Sequence, residues 1–303
     1  MSESTGDCLR DERPLLLKSV PFILVHLAPL GLLWTGMRAT DVLWCVLLYF
    51  GRMFFITAGF HRYFAHRAYK MGRLMQFLMA WGASTSCQKG VLWWAAHHRA
   101  HHRYSDTDRD IHSPKKGFWW SHVGWILCPK YQATDWDAIK DFSKFPELVW
   151  LNKYHLLPGI GLGATCYLLG GGRGLLTFFL STTLLYHGTF SINSLMHLWG
   201  RRRYVTTDTS RNSFLLALIT MGEGWHNNHH YYQSTANQGF FWWEVDASFY
   251  LLKVMSWLGL VRDLRTPSLA VLQRQRVTEH PDVGMRPERA VPSSALSAHS
   301  GEG

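Results

Sequence analysis

The stretch "GEGWHNNHHYYQ", residues 222–233, places His226, His229 and His230 within five positions. Spacings of i, i+3 and i+4 put side chains on one face of a helix. His98, His101 and His102 repeat that spacing in "HHRAHH", Asn193 and His197 stand one helical turn apart in "NSLMH", and "HRYFAH" holds His61 and His66. Five residues is about 140° around an ideal helix, so His61 and His66 converge only if the helix carrying them ends or bends; fraying is expected near Arg62–Ala65. Nine imidazoles are too many for one ion and suit two. Imidazole binds iron, zinc, copper and nickel. Zinc sites commonly add cysteine, none lies in these clusters, and the HExxH pattern of zinc proteases is missing. Two irons fit the ligand type and number, although familiar di-iron bundles use glutamate-rich ligand sets. Metal-binding imidazoles usually give their second N–H to a carboxylate or carbonyl; Asp106, Asp108, Asp110 and Glu223 lie near the motifs, and one or more of them is expected to serve.

The elements that must position these residues are apolar helices. The chain is 47% hydrophobic, with 15 Trp and a net charge of +10. The aromatic and apolar content points this basic charge toward a membrane surface rather than nucleic acid. Four segments approach the roughly 20 apolar residues of a spanning helix: about 19–37, 41–60 (interrupted by Arg52), 154–172 and 174–196. Short links pair them into two hairpins. The segment 72–96 reads as an amphipathic or partly sunken helix. Four spans put both termini, 61–153 and 197–262 on one side, and the Lys and Arg concentrated there make it cytoplasmic. All four histidine groups fall on that side. The expected fold is therefore an all-α integral membrane protein, four transmembrane helices in two hairpins with a cytoplasmic helical domain carrying the histidine-rich di-iron site. Residues 1–18 and 263–303 read as disordered cytoplasmic ends around a domain at 19–262. The five cysteines form no CxxC pair and read as free thiols. No cleavable signal peptide is evident.

The ordered motifs HRxxxH, HRAHH, NxxxH and HNxHH resemble those of membrane fatty acyl-CoA desaturases of the stearoyl-CoA type. The resemblance runs from about Val42 to Leu260 and includes "ITAGFHRYFAHRAYK", "HHRAHHRYSDTDRDIHSPKKGFWWSHVGW" and "GEGWHNNHH". It implies a di-iron centre that uses dioxygen and two electrons to remove two hydrogens from an acyl chain, leaving a cis, Δ9 double bond. It implies one iron at His61, His66, His102 and His230, with Asn193 reaching it through a water. The other would take His98, His101, His197, His226 and His229. Gln88, Trp94 and Thr189 match positions shaping the bend of a substrate tunnel; Phe190 stands where animal enzymes carry Trp, and Asn228 replaces an aromatic residue often seen within HNxHH. The implied partners are a long-chain acyl-CoA (palmitoyl to stearoyl), the bilayer and a separate electron donor of ferredoxin, rubredoxin or cytochrome b5 type. "GFFWWEVD" looks like bacterial members, so the bacterial inner membrane is the expected location, or the endoplasmic reticulum in a eukaryote.

Breaking an unactivated C–H bond needs a metal–oxygen species, shielded from water and aimed at one carbon. Apolar helices with a metal site above them supply that arrangement. Arg99, Arg103, Lys89, Lys115 and Lys116 form an expected basic mouth for the phosphorylated head group. Met53 and Phe54, roughly 11–12 Å deeper than His61, are placed to floor the tunnel, with a preference for palmitoyl chains. His26 and His155 read as structural, and His112, His122 and His187 lack a partner at ligand spacing. A lipid hydroxylase or alkane monooxygenase shares such histidine boxes. A metal transporter or sensor would instead line its spans with ligands.

Overall fold

The computed structural model describes Glu12, residues 15–274 and residues 276–277. One part of it is a set of apolar helical arms. The first arm is three consecutive pieces, Leu16–Leu27, Ala28–Gly31 and Leu32–Thr35. Pro29 lacks the N–H that a continuous α-helix needs, and the middle piece tightens to a 3-10 turn there. The second arm, Ala39–Phe54, continues directly into a helix of wider winding, Phe55–Ala65. A last helical run, Leu157–Asn193, is two antiparallel arms folded back at Gly171, whose φ of 62° suits glycine. The arms pack so closely beyond this turn that a Cβ on Gly174 would strike the Cys166 carbonyl.

Two segments, Ala39–Ala65 and Leu157–Leu198, are long and apolar enough to cross a membrane. Leu24, Leu33, Trp34, Leu47, Leu168 and Leu169 project outward from the arms, an apolar outer surface of the kind that meets lipid. Arg52, which interrupts the second apolar run, is buried. Its Nη2 donates to Ser181 Oγ (2.6 Å) and its Nη1 to Thr182 Oγ1 (2.8 Å), both on the last arm. A buried cation requires such partners.

Above the arms sits the cap. The expected helix at 72–96 is instead two, Arg73–Ser84 and Val91–Tyr104, separated by a turn in which Cys87 and Lys89 adopt positive φ. The second of them carries "HHRAHH". The core formed by Phe60, Phe64, Met79, Leu92, Phe142 and Leu148 joins both to the end of the second arm. Lys70–Met71 pairs antiparallel with Val261–Arg262 and ties the two halves of the cap. Beyond it, where a tail was expected to begin, Leu269–Gln273 forms a helix and Arg276 bridges to Tyr204. The first arm likewise begins inside the expected N-terminal end, at Leu16, and residues 1–11, 13–14, 275 and 278–303 lie outside the described residues.

Candidate metal centre

The expected fraying of the second arm does not occur. Phe55–Ala65 is a π-helix, almost wholly buried, which closes its hydrogen bonds five residues back rather than four. Residues five apart then lie one above the other. The His66 N–H donates to the His61 carbonyl (3.2 Å), and the two rings meet with centroids 4.8 Å apart. Arg99, on the "HHRAHH" helix, closes the end of this π-helix. Its Nη2 and Nε donate to the carbonyls of Phe64 (2.7 Å) and Ala65 (3.0 Å), while Asp141 holds the same guanidinium at 2.8 and 2.9 Å. Cationic side chains are favoured at such C-terminal carbonyls.

The nine histidines gather into two adjoining groups. His61, His66, His98, His102 and His229 bring one nitrogen each within 4.8 Å of one another, and His101, His197, His226 and His230 do the same. This division departs from the one implied by resemblance: His230 joins the second group, and His98 and His229 join the first. Helix periodicity places a side chain on a face but leaves open which of two neighbouring groups that face meets. His97 stays outside both, its Nδ1 bonded to the Trp93 carbonyl at 2.8 Å. His112 does find partners: its ring lies 4.2 Å from that of His101, and with Asp110 they form a third cluster.

Carboxylates orient the rings from behind. Glu223 Oε2 lies 2.5 Å from His61 Nδ1, Asp110 holds His101 Nδ1 at 3.1 Å, and Asp208 holds His230 Nδ1 at 2.7 Å. Asp106 Oδ1 lies 3.5 Å from His197 Nδ1 and accepts from Thr209 through its other oxygen. Burial pushes the Asp106 carboxyl up, but its contacts with His197 and Thr209 outweigh this and bring it down to about 2. Asp110, Asp208 and Glu223 are likewise raised by burial and lowered further by their histidines. Of the expected acids, Asp108 alone is exposed. Asp208 was not expected; it is far from every histidine motif in sequence, and "TTDTS" carries no signal of its own. Arg62 was also overlooked. Its guanidinium is fully buried between Glu223 (3.0 Å) and Asp246 (2.9 Å) and so fixes the acid that fixes His61.

These groups suit a cation. Within the first, the Nε2 atoms pair at 2.9–3.0 Å: His61 with His229, His229 with His102, His102 with His98, and His98 with His66. A neutral ring nitrogen offers either a proton or a lone pair. With Nδ1 of His61, His101 and His230 held by carboxylates, their lone pairs face inward at Nε2. His230 Nε2 is buried with no hydrogen-bond partner among the described residues. Positive charge at each group's centre satisfies all of these atoms together. Burial first, then the neighbouring histidines, push the values of His66, His98, His102, His226 and His229 well down, which keeps them neutral and ready to ligate.

A cavity of about 360 Å³ reaches this centre. Its wall includes His61, His98 and Glu223 together with Gln88, Trp94, Thr189, Phe190 and Asn193. Gln88 Nε2 donates to Thr189 Oγ1 (3.0 Å), and Trp94 stacks on His98 with centroids 4.8 Å apart. Met53, Arg99, Lys115 and Lys116 are not on the wall. Met53 is packed in an apolar cluster with Tyr49, Ile56 and Leu185, and Ile56 is the member that faces the cavity. Arg99 is committed to the π-helix and Asp141, so it is not part of a basic mouth. Lys115 is exposed, and Lys116 pairs with Glu12.

Residues 39–254 match the family model described as fatty acid desaturase. The chain is 37% identical to an sn-2 palmitoyl-lipid 9-desaturase of Nostoc sp. (strain 36), over 68% of this chain and 75% of that protein. It is 36% identical to a Delta-9 desaturase-like 5 protein of Arabidopsis thaliana, over 91% of this chain and 96% of that one. An icosanoyl-CoA 5-desaturase of Limnanthes douglasii is 34% identical over 72% of this chain and 63% of its own length.

Proposed function

Because the chain belongs to the fatty acid desaturase family, a family of oxidoreductases, we propose that it inserts a cis double bond, at the Δ9 position, into a saturated long-chain acyl group. The observation that carries this reading is an apolar cavity that ends on His61 and His98 of the first of two adjoining imidazole groups, with carboxylates anchoring rings in both. In this reading His61, His66, His98, His102 and His229 hold one iron, and His101, His197, His226 and His230 the other. Asn193, on the cavity wall, approaches the first through a water. Two irons there would activate dioxygen with two electrons and supply the oxidant that removes two hydrogens from the chain. The protein's own part is positional. Trp94, Thr189 and Phe190 direct the acyl chain past His61 and His98, and Gln88 fixes Thr189. The apolar wall excludes water, so the oxidising chemistry is confined to one carbon pair.

The four arms span the membrane as two hairpins in this reading, with both ends and the cap on the cytoplasmic side. The outward apolar side chains of the arms support it, as does the gathering of every histidine group at the same end of the arms. We take long-chain acyl-CoA as substrate and a separate small electron carrier as reductant. Acyl groups on bilayer lipid are the second reading, favoured by the name of the Nostoc relative, a palmitoyl-lipid desaturase. The test is direct. Protein loaded with iron receives palmitoyl-CoA, stearoyl-CoA or the same chains on phospholipid in nanodiscs, with a reducing system and oxygen. Mass spectrometry that locates a new Δ9 alkene supports the proposal, and the carrier that is converted names the substrate. A hydroxylated product, or no product in iron-replete protein, overturns it.

A further inference from the structure

A second cavity, also of about 360 Å³, lies between the second and last arms, at the end of the molecule away from the two imidazole groups. Arg38, Thr40, Asp41, Trp44, Leu48 and Arg173 are on its wall. Arg38 stands 23 residues before His61, and Arg173 stands 20 residues before Asn193. Each interval is roughly 30–35 Å of helix, about the thickness of a bilayer's hydrocarbon core. The links at this end of the arms, residues 36–38 and 170–174, hold two cations, and both line this one cavity. A single carboxylate stands with them. Asp41 Oδ2 accepts from the Arg38 backbone N–H (2.8 Å) and lies 3.5 Å from Arg173 Nε. Among the described residues no carboxylate pairs with the Arg38 guanidinium, and the Thr40 hydroxyl makes no hydrogen bond.

We propose that this cavity binds one anionic phospholipid of the leaflet opposite the cap, its phosphate held by Arg38 and Arg173 and its acyl chains running down the arms past Trp44 and Leu48. The proposal rests on the reading of the arms as membrane spans. Two guanidinium groups against one carboxylate leave the cavity cationic. A guanidinium presents a planar fork of N–H donors that matches phosphate oxygens, and Thr40 adds a hydroxyl. The single negative charge of a phosphodiester balances the surplus, whereas a zwitterionic head would bring its own cation into an already cationic space. Trp44, half exposed, is the amphipathic ring expected at headgroup level, and Leu48 continues the wall one turn deeper. The site also has a structural part. The second arm ends in His61 and His66, and the last arm leads to Asn193 and His197. A phosphate shared by Arg38 and Arg173 ties these two arms at the end where Asp41 is the carboxylate that joins them.

The test counts lipids retained by the full-length chain in non-ionic detergent, by native mass spectrometry, and needs no turnover. Phosphatidylglycerol is compared with phosphatidylcholine of identical acyl chains, and free glycerol phosphate serves as the soluble form of the same anion. Wild type is expected to keep one phosphatidylglycerol per chain under conditions that strip phosphatidylcholine, and to melt at a higher temperature with it. Arg38→Gln and Arg173→Gln should each weaken retention roughly tenfold, the effect of one charge-assisted hydrogen bond. Asp41→Asn keeps an acceptor for the Arg38 N–H but removes the competing charge, so it should tighten retention; this gain keeps the test valid if an arginine variant folds poorly. Lys140→Gln, which removes an exposed cation of the cap, should change nothing. Equal retention of the two lipids, an Arg38→Gln/Arg173→Gln double variant that binds like wild type, an equal loss in Lys140→Gln, or displacement by glycerol phosphate at the lipid's own concentration overturns the proposal. Alkaline carbonate washing separates its failure from that of the membrane reading. A chain that stays in the membrane but fails these tests loses the lipid site alone, and a chain that washes out loses both.

Discussion

Replacing Asp208 tests whether the two histidine groups bind two separable metals. Asp208 Oδ2 holds His230 Nδ1 at 2.7 Å, and Ser210 donates to its other oxygen at 2.9 Å. The carboxylate fixes the ring so that Nε2, the atom left without a partner, serves the group of His101, His197 and His226. Asparagine keeps an acceptor but removes the charge; alanine removes both. Losing an outer partner of a ligating histidine costs 10–100-fold in metal affinity, about 1.4–2.7 kcal/mol. Asp208→Asn is expected at the low end and Asp208→Ala at the high end. Iron per chain is measured by mass spectrometry after dialysis against chelators of increasing strength. Over a window where wild type keeps two irons, the Asp208 variants should keep one. Glu223→Gln, which loosens His61 in the other group, should shed the other iron, so the double variant should empty both. If each single variant lost both irons together, the division into two groups would be wrong. If neither lost any, the carboxylates would have no part in holding metal.

Arg62→Ala should be severely destabilising, by about 3–5 kcal/mol, because Glu223 and Asp246 would remain buried without their shared cation; a lowered melting temperature and poor recovery from membranes would show it. Met53→Ala is expected to cost about 2–5 kcal/mol through a cavity and to leave chain-length preference unchanged, whereas Ile56→Phe, on the cavity wall, should shift products toward shorter acyl chains in a mixed-substrate assay. Acid should destabilise the metal-free protein. His66, His98, His102, His226 and His229 are held neutral in the folded chain by burial and by one another, so the unfolded chain binds more protons below about pH 6.5, and stability falls as pH drops from there toward the depressed folded values. Each contributes up to about 1.4 kcal/mol per pH unit. Bound metal should steepen the loss, and denaturant titrations at pH 7.5 and 5.5, with and without iron, would measure both.

The apolar arms and the histidine set were legible because both depend on local pattern: runs of apolar residues, and imidazoles at helical spacing. What lies outside local pattern was not. Asp208 reaches His230 across 22 residues of chain that include the helix Phe214–Ile219, and no periodicity marks it. The assignment of His98, His229 and His230 to groups depends on how their two helices are rotated against each other and against the π-helix, a matter of packing. Arg99 was misplaced because a cation beside histidine motifs suggests a ligand for phosphate, and sequence does not reveal that the Phe64 and Ala65 carbonyls need a donor. Met53 was placed by depth along its helix alone; the direction in which it points came from Tyr49 and Leu185.

The π-helix connects these misreadings. An α-helix through Phe55–Ala65 would set His61 and His66 well apart around its axis, and a five-residue hydrogen bond brings them together. Such winding is rare and must be stabilised from outside. The two arginines embedded in the histidine motifs supply that support. Arg62 pins the middle of the π-helix to Glu223, Asp246 and the Ala236 carbonyl. Arg99 reaches across from the neighbouring motif helix and satisfies the last carbonyls. Each arginine thus joins one ligand-bearing segment to another, so the helix that presents His98 and His102 also holds in shape the helix that presents His61 and His66. The arginines of "HRYFAH" and "HHRAHH" act as positioning residues, and their spacing from the histidines is set by the π-helix they stabilise.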